Sequence, residues 1–369
     1  MTWSPFPQAP TYPASGFAPL ADRVAALMKT ANDVVLVQGE AVIALEAAAS
    51  SLARPGLRAL NIVSSPYGAW FGEWLRRGGS DVTDLRATPG KPITVEAVQA
   101  AGTGFDLVAV VHAESATGIL NPLPEIAAFA KAQGALMVVD AVASFGGHAL
   151  DVDALGLDVV VTGMQKSPGG QAGLSVAAIS PAAWAAMSLP GAAPSALCLQ
   201  DLKQGWIETG RGALPGMPSG LEFHALEATL DAVEAEGLEA LIARHTLAGE
   251  AMRAGLEAMG LPLWVPGAQA SNLVTGGWLP EGIDAALLCA HPALIETGTA
   301  PGVGPGSERI LRLNHTGPRA RFETVLSVLG ALGCALRAAG QAVDLGAGAE
   351  AVSATYAAAW TPEARKAAE

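Results

Sequence analysis

The sequence predicts an α/β fold, in which a large domain built on a mostly parallel sheet between helices is followed by a smaller C-terminal α+β domain. Three observations carry this expectation. Hydrophobic residues make up 51% of the 369 and charged residues only 15%, which suits a large packed core rather than a disordered chain. Short β-branched runs alternate with Ala- and Leu-rich amphipathic segments, the pattern of parallel strands with helical crossovers. Near residue 222 the alternation gives way to a long helical stretch that leads into shorter strands.

In chain order, VVLVQ (34–38), ALNIV (59–63), DLVAVVH (106–112) and ALMVVDAV (135–142) each meet a turn signal and then a helical pattern. DVVVTGMQ (158–165) and LSVAAIS (174–180) are separated only by KSPGGQAG, too short for a helical crossover, so they read as a hairpin-like return. From Glu222 to Met259 apolar residues recur at spacings of three and four, with a break expected at Gly237. SNLVTGGWL (271–279) and RILRLNH (309–315) read as strands and FETVLSVLGALGCALRAAG (322–340) as a helix, with GTAPGVGPGS (298–307) a flexible loop. The expected division is residues 1–255 for the large domain and 256–369 for the small one.

A net charge of −13 without clustered Lys or Arg argues against nucleic acid or an acidic membrane as partner. Cys198, Cys289 and Cys334 lie far apart with no CxxC spacing, which fits a reducing compartment and no zinc site. The opening MTWSPFPQAPTYPASGF has no basic segment leading into an apolar one, and no apolar run reaches the roughly 18 residues of a membrane span. A cytoplasmic enzyme acting on small molecules is the expectation.

In doubly wound sheets ligands sit outside the carboxyl ends of the strands, which directs attention to Glu40, Tyr67, Ser115, Asp140, Gln165 and Lys166. Lys166 follows an apolar strand and precedes a glycine-rich turn. A lysine desolvated there has a lowered pKa and becomes a competent Schiff-base nucleophile. Position alone does not separate this from an ordinary turn lysine. Asp140 ends ALMVVD, where a carboxylate could pair with a protonated pyridine nitrogen or simply form a turn. The two together, 26 residues apart across a second strand, are far less accidental than either alone.

The run VVDAVASFGGHALDVDALGLDVVVTGMQKSPGGQAGLSVAAIS (138–180) resembles the aspartate-to-lysine segment of the class V aminotransferases, which are fold type I pyridoxal-phosphate enzymes. VHAESATGILNP (111–122) is similar to that family's His-x-Glu-Ser/Thr stretch. The resemblance implies a cofactor of the pyridoxal 5′-phosphate class and a homodimer or homotetramer with its site at the subunit interface. It implies that Lys166 carries the aldehyde as a Schiff base and shuttles the proton, that Asp140 pairs with the ring nitrogen, and that Ser115 bonds the ring edge. It also implies a Tyr67 ring stacked on the pyridine and a Gln165 that contacts the phosphate. A carboxylate substrate calls for a guanidinium fork, and of Arg309 and Arg312 the family's Arg-x-x-His/Leu-x-Gly pattern in RLNHTG selects Arg312, leaving Arg309 as a solvated charge.

One residue sits oddly in that pattern. VVLVQGEAVIALEA (34–47) is a strand, a glycine and a helix start, an arrangement that normally offers bare N–H groups and a positive dipole end to an anion, yet Glu40 stands there. A carboxylate about 5 Å from a phosphate of two charges would repel it by about 6 kcal/mol at an effective dielectric near 20. Where many relatives bring a Tyr and a Thr from the neighbouring subunit to the phosphate, GALPGMPSG offers Leu214 and Met217. Both departures are similar to a branch of the family that takes unphosphorylated pyridoxal and pyridoxamine as substrates, with Glu40 bonding the alcohol. The expected reaction is amino transfer from pyridoxamine to pyruvate. The alternatives are a pyridoxal-phosphate aminotransferase for alanine or serine with glyoxylate or pyruvate, and a non-catalytic vitamin B6 binder.

Overall fold

The computed structural model describes residues 10–187, 195 and 197–360, so the first nine residues of the N-terminal stretch read above lie outside the described part. Seven strands, β1 (Asp33–Gln38), β2 (Arg58–Val63), β3 (Asp81–Arg86), β4 (Leu107–Val111), β5 (Leu136–Asp140), β6 (Val159–Gly163) and β7 (Leu174–Ile179), form one sheet. Its order is β1-β7-β6-β5-β4-β2-β3. Strand β7 runs antiparallel to both neighbours, and the other pairs are parallel. The short KSPGGQAG connection therefore makes the expected return.

Period-two alternation divides the core between the two faces of the sheet. Val139 and Val160 point into one apolar cluster with Leu20, Leu226 and Phe223, while Val138, Val159 and Val161 point into the other with Ala44, Leu52 and Phe71. Strand β3, DVTDLR, carries no apolar run and has no counterpart in the sequence reading. It lies at the edge of the sheet opposite β1, where charged side chains blunt an open edge.

In the C-terminal part β8 (Val274–Trp278), β9 (Thr299–Pro301) and β10 (Ile310–Asn314) form an antiparallel sheet of order β8-β10-β9. Here the reading of 298–307 as one loop is corrected, because Thr299–Pro301 pairs with β10, Thr299 opposite Leu313. Its Gly and Pro neighbours mask so short an edge strand. The long helical stretch is two helices, Gly220–Glu236 and Leu238–Ala258, broken at Gly237 with φ 85°. The second contains residue 255, and from Ala248 onward it packs in the C-terminal cluster with Leu311, Leu313, Val325 and Leu329. A further helix, Leu345–Ala359, lies against it. Among the described residues no helix is long and apolar enough to cross a membrane.

Candidate active site

Strands β1, β4, β5 and β6 point the same way, so their carboxyl ends share one edge of the sheet. Five of the sequence-predicted residues, Glu40, Tyr67, Ser115, Asp140 and Lys166, line a cavity of about 310 Å³ there. Gln165 and Arg312 bond to residues of its wall.

Strand β1 ends at Gln38, and Gly39 turns the chain with φ 143° into the helix Ala41–Leu52. A side chain at 39 would press on Ile43, and its backbone conformation would be strained. Glu40 is the N-cap of that helix. Its Oε2 accepts from Val42 N at 2.8 Å, and its Oε1 accepts from Gln165 Nε2 at 2.6 Å. The carboxylate thus occupies the dipole end that would otherwise face an anion. Gln165 Nε2, expected at a phosphate, is spent on Glu40.

Asp140 closes β5, and its Oδ1 accepts from Val142 N at 2.9 Å. Burial pushes its carboxyl up to about 6, with the Glu40 charge adding to the rise and the Val142 N–H and Lys166 opposing it. Burial holds the Lys166 amine below the usual lysine range, against the fields of Glu40 and Asp140. The lysine's own turn is pinned from the C-terminal part. Gly317, φ 60°, comes so close that a Cβ would stand 2.8 Å from the Lys166 carbonyl, which gives the HTG of RLNHTG a physical reason.

Tyr67 stands in the first turn of the helix Pro66–Arg77, capped by Ser65 Oγ, which accepts from Tyr67 N at 3.2 Å. Tyr67 is 40% exposed, and its ring meets Trp70 edge-on, centroids 5.4 Å apart. Arg312 on β10 reaches back to the large domain. Its Nη1 donates to the Ser115 carbonyl at 3.1 Å and its Nε to the Pro301 carbonyl at 2.9 Å. Arg309 instead donates to the Leu279 carbonyl and lies 3.8 Å from Glu281 at the surface. Leu214 is buried in the large-domain core, away from the cavity walls, whereas Met217 is 95% exposed.

Sequence reasoning passed over Glu114, a fully buried carboxyl that lines the cavity. Its Oε1 accepts from Ser64 Oγ at 2.6 Å, and Ser64 Oγ accepts from Asn121 Nδ2 at 2.7 Å. Its Oε2 has no partner among the described residues. Burial pushes this carboxyl up to about 7 against the Ser64 and Ser65 hydroxyls. The glutamate of HAES was the available signal, but which side it faces depends on the fold. Trp70 and Trp74 also stand on the cavity wall. Cys289 ends the helix Ala285–Cys289 and is absent from the cavity wall; burial raises its thiol pKa and the Arg312 charge opposes the rise.

The cavity suits a pyridine ring in size and donor set: it lies near the lower end of small-ligand pockets, which run from about 300 Å³. Asp140 has a second carboxylate oxygen for a ring N–H, Lys166 has an amine, and Glu40 has an acceptor at the far end. A seven-stranded, mostly parallel sheet with a desolvated lysine and a carboxylate at its carboxyl edge defines a fold type I vitamin B6 enzyme. The chain belongs to the class V aminotransferases: the family profile, Aminotransferase class-V, matches residues 15–275. That family depends on pyridoxal phosphate. Over 337 residues the chain is 36% identical to the pyridoxamine–pyruvate transaminase of Mesorhizobium japonicum, covering 89% of this chain and 85% of the relative. The crystal structure of pyridoxamine–pyruvate aminotransferase from Mesorhizobium loti superposes with a TM-score of 0.86 at 35% identity, covering 94% of this chain and 89% of the other. Alanine–glyoxylate aminotransferase from Nostoc sp. superposes with a TM-score of 0.79 at 25% identity, covering 88% and 87%.

Proposed function

We propose that this transaminase moves the amino group of pyridoxamine to pyruvate, giving pyridoxal and L-alanine, and that it takes the B6 compound as an unphosphorylated substrate. The observation that carries the reading is Glu40, a carboxylate fixed by Val42 N and Gln165 Nε2 where a phosphate cup would keep its N–H groups free. A B6 alcohol can donate a hydrogen bond to that carboxylate, whereas a phosphate is repelled by it. Resemblance to the Mesorhizobium enzymes supports the same choice.

The B6 ring, when bound, supplies an electron sink and carries the amino group between the two carbon skeletons. The protein's residues do the rest. Asp140 accepts the ring N–H through the oxygen not engaged by Val142 N and holds the ring nitrogen protonated. Lys166 Nζ, with its pKa lowered by burial, accepts and returns the proton at the reacting carbon. Arg312, oriented by the Ser115 and Pro301 carbonyls, presents its remaining N–H groups to the oxo acid's carboxylate. Tyr67, Trp70 and Trp74 crowd the cavity, which favours a small oxo acid. The reaction consumes a vitamin B6 form and so belongs with B6 breakdown, in the cytoplasm, in a homo-oligomer.

The test is to dialyse the protein free of B6 compounds and incubate it with pyridoxamine and pyruvate. Pyridoxal and alanine should accumulate in large excess over enzyme. Absence of turnover, with a phosphorylated chromophore kept through dialysis, would assign it instead to pyridoxal-phosphate aminotransfer. Binding of pyridoxamine without turnover on any oxo acid would make it a B6 binder.

A further inference from the structure

We infer that Gln165 is a specificity-determining residue that acts through Glu40: folded back over Gly163, it locks the Glu40 carboxylate as the acceptor for a B6 alcohol and never touches the ligand itself. This rests on the reading of Glu40 above. Three observations carry it. Gln165 is absent from the cavity wall while Glu40 and Lys166, on either side of it, are on that wall. Its Nε2 makes a short, charge-assisted bond of 2.6 Å to Glu40 Oε1, across 125 residues of sequence. Its Oε1 is buried without a partner among the described residues, a cost that is tolerated only if the amide orientation matters.

The back-folded conformation depends on Gly163, the last residue of β6. A methyl group there would run into Gln165 Oε1 and stand 3.0 Å from its Cδ and 3.1 Å from its Nε2. Those atoms are the free end of a flexible side chain, so Gly163→Ala would expel the amide from its place without breaking the strand. With Val42 N on Oε2 and Gln165 Nε2 on Oε1, each Glu40 oxygen has one donor and room for one more. A ligand hydroxyl can fill that room; a phosphate, which donates nothing when ionised, cannot. The same amide that could serve a phosphate is thereby turned to reinforce a site that rejects it.

The experiment measures equilibrium binding of pyridoxine and pyridoxine 5′-phosphate, which have no reactive amine or aldehyde, by titration calorimetry. The proteins are the wild type, Gln165→Leu, Gly163→Ala, Glu40→Ala and the double Glu40→Ala/Gln165→Leu. Losing a charge-assisted bond that fixes Glu40 should weaken pyridoxine binding about 10-fold in Gln165→Leu and in Gly163→Ala. In the Glu40→Ala background, Gln165→Leu should add less than about 2-fold, since the glutamine acts only through the missing carboxylate. An equal loss in both backgrounds would mean that Gln165 contacts the ligand directly, and this overturns the inference. So does a Gln165→Leu protein that binds like the wild type. A wild type that prefers the alcohol, with Gln165→Leu unchanged, overturns this inference alone, whereas a wild type that binds only the phosphorylated compound overturns the proposed function as well.

Discussion

Two strand-to-helix junctions on the same sheet edge use the same backbone device, one with a charged cap and one with a neutral cap. After β1, Glu40 caps the helix Ala41–Leu52 and accepts from the N–H two residues on. After β2, Ser65 caps the helix Pro66–Arg77 and likewise accepts from the N–H two residues on. Both helices have 12 residues, and neither has an acidic residue in its first turn. The cap decides what each junction can meet. A carboxylate cancels the positive end of the first helix, while a hydroxyl leaves the second one's partial charge in place. The second junction has a carboxyl of its own, Glu114, but it is buried, accepts from Ser64 Oγ, and burial raises its pKa to about 7. One sheet edge therefore carries an exposed charge at one junction and a masked one at the other, with Lys166 between them.

The comparison breaks most severely at that lysine. Lys166→Ala should lower kcat by about 10³-fold or more, since both proton transfer and covalent capture are lost, and single-turnover kinetics with pyridoxamine would reveal it. Retention of even a tenth of the activity would mean that neither junction serves this amine.

Making the junctions alike is the next test. Glu40→Ser gives the first the cap of the second. It should shift the ratio of affinities toward the phosphorylated B6 compound by about 100-fold, less than the unscreened repulsion because Glu40 is exposed to solvent. An unchanged ratio would reduce Glu40 to a helix cap.

Glu114 tests the masked charge. Its folded pKa lies above its ordinary 4.5, at about 7, so the folded form holds the proton more tightly than the unfolded one. The stability this contributes is complete below about 4.5 and is lost as pH rises through about 7. Measured as the difference from Glu114→Gln, wild-type stability in thermal melts should decline by roughly 2 kcal/mol between pH 5 and pH 8, on top of the opposite rise that the buried His112, His148, His245 and His315, each held below the ordinary 6.5, give both proteins. Equal slopes in the two proteins would show that the carboxyl is already ionised at pH 5. The smallest effect expected is that of Ser65→Ala, which removes a neutral cap and should cost about 1 kcal/mol in a urea melt without altering the preference between B6 forms.

Much of the fold was legible because its signals are local. The β-branched runs ending in Gln38, Val111, Asp140 and Gly163 are short and strongly apolar, and Gly237 announces its own break. Strand β3 and the edge strand Thr299–Pro301 were not legible, since neither carries an apolar run and each is defined by the strand it pairs with. At the site, Lys166, Asp140 and Glu40 stood out because each is a charge at the end of an apolar strand. Glu114 did not, because a glutamate in a loop is ordinarily solvated and only the fold buries this one.

By itself the sequence determined which residues arrive at the sheet's carboxyl edge, because a strand delivers the residue that follows it wherever the sheet ends. Only the tertiary structure decided what those residues do to one another. Glu40 meets Gln165 across 125 positions, Glu114 meets Ser64 across 50, and Arg312 meets Ser115 across 197. Hydrogen bonds act over about 3 Å and leave no periodic trace in a sequence. The pattern fixed the address of each charge, and packing fixed whether that charge was shared, buried or left free for a ligand.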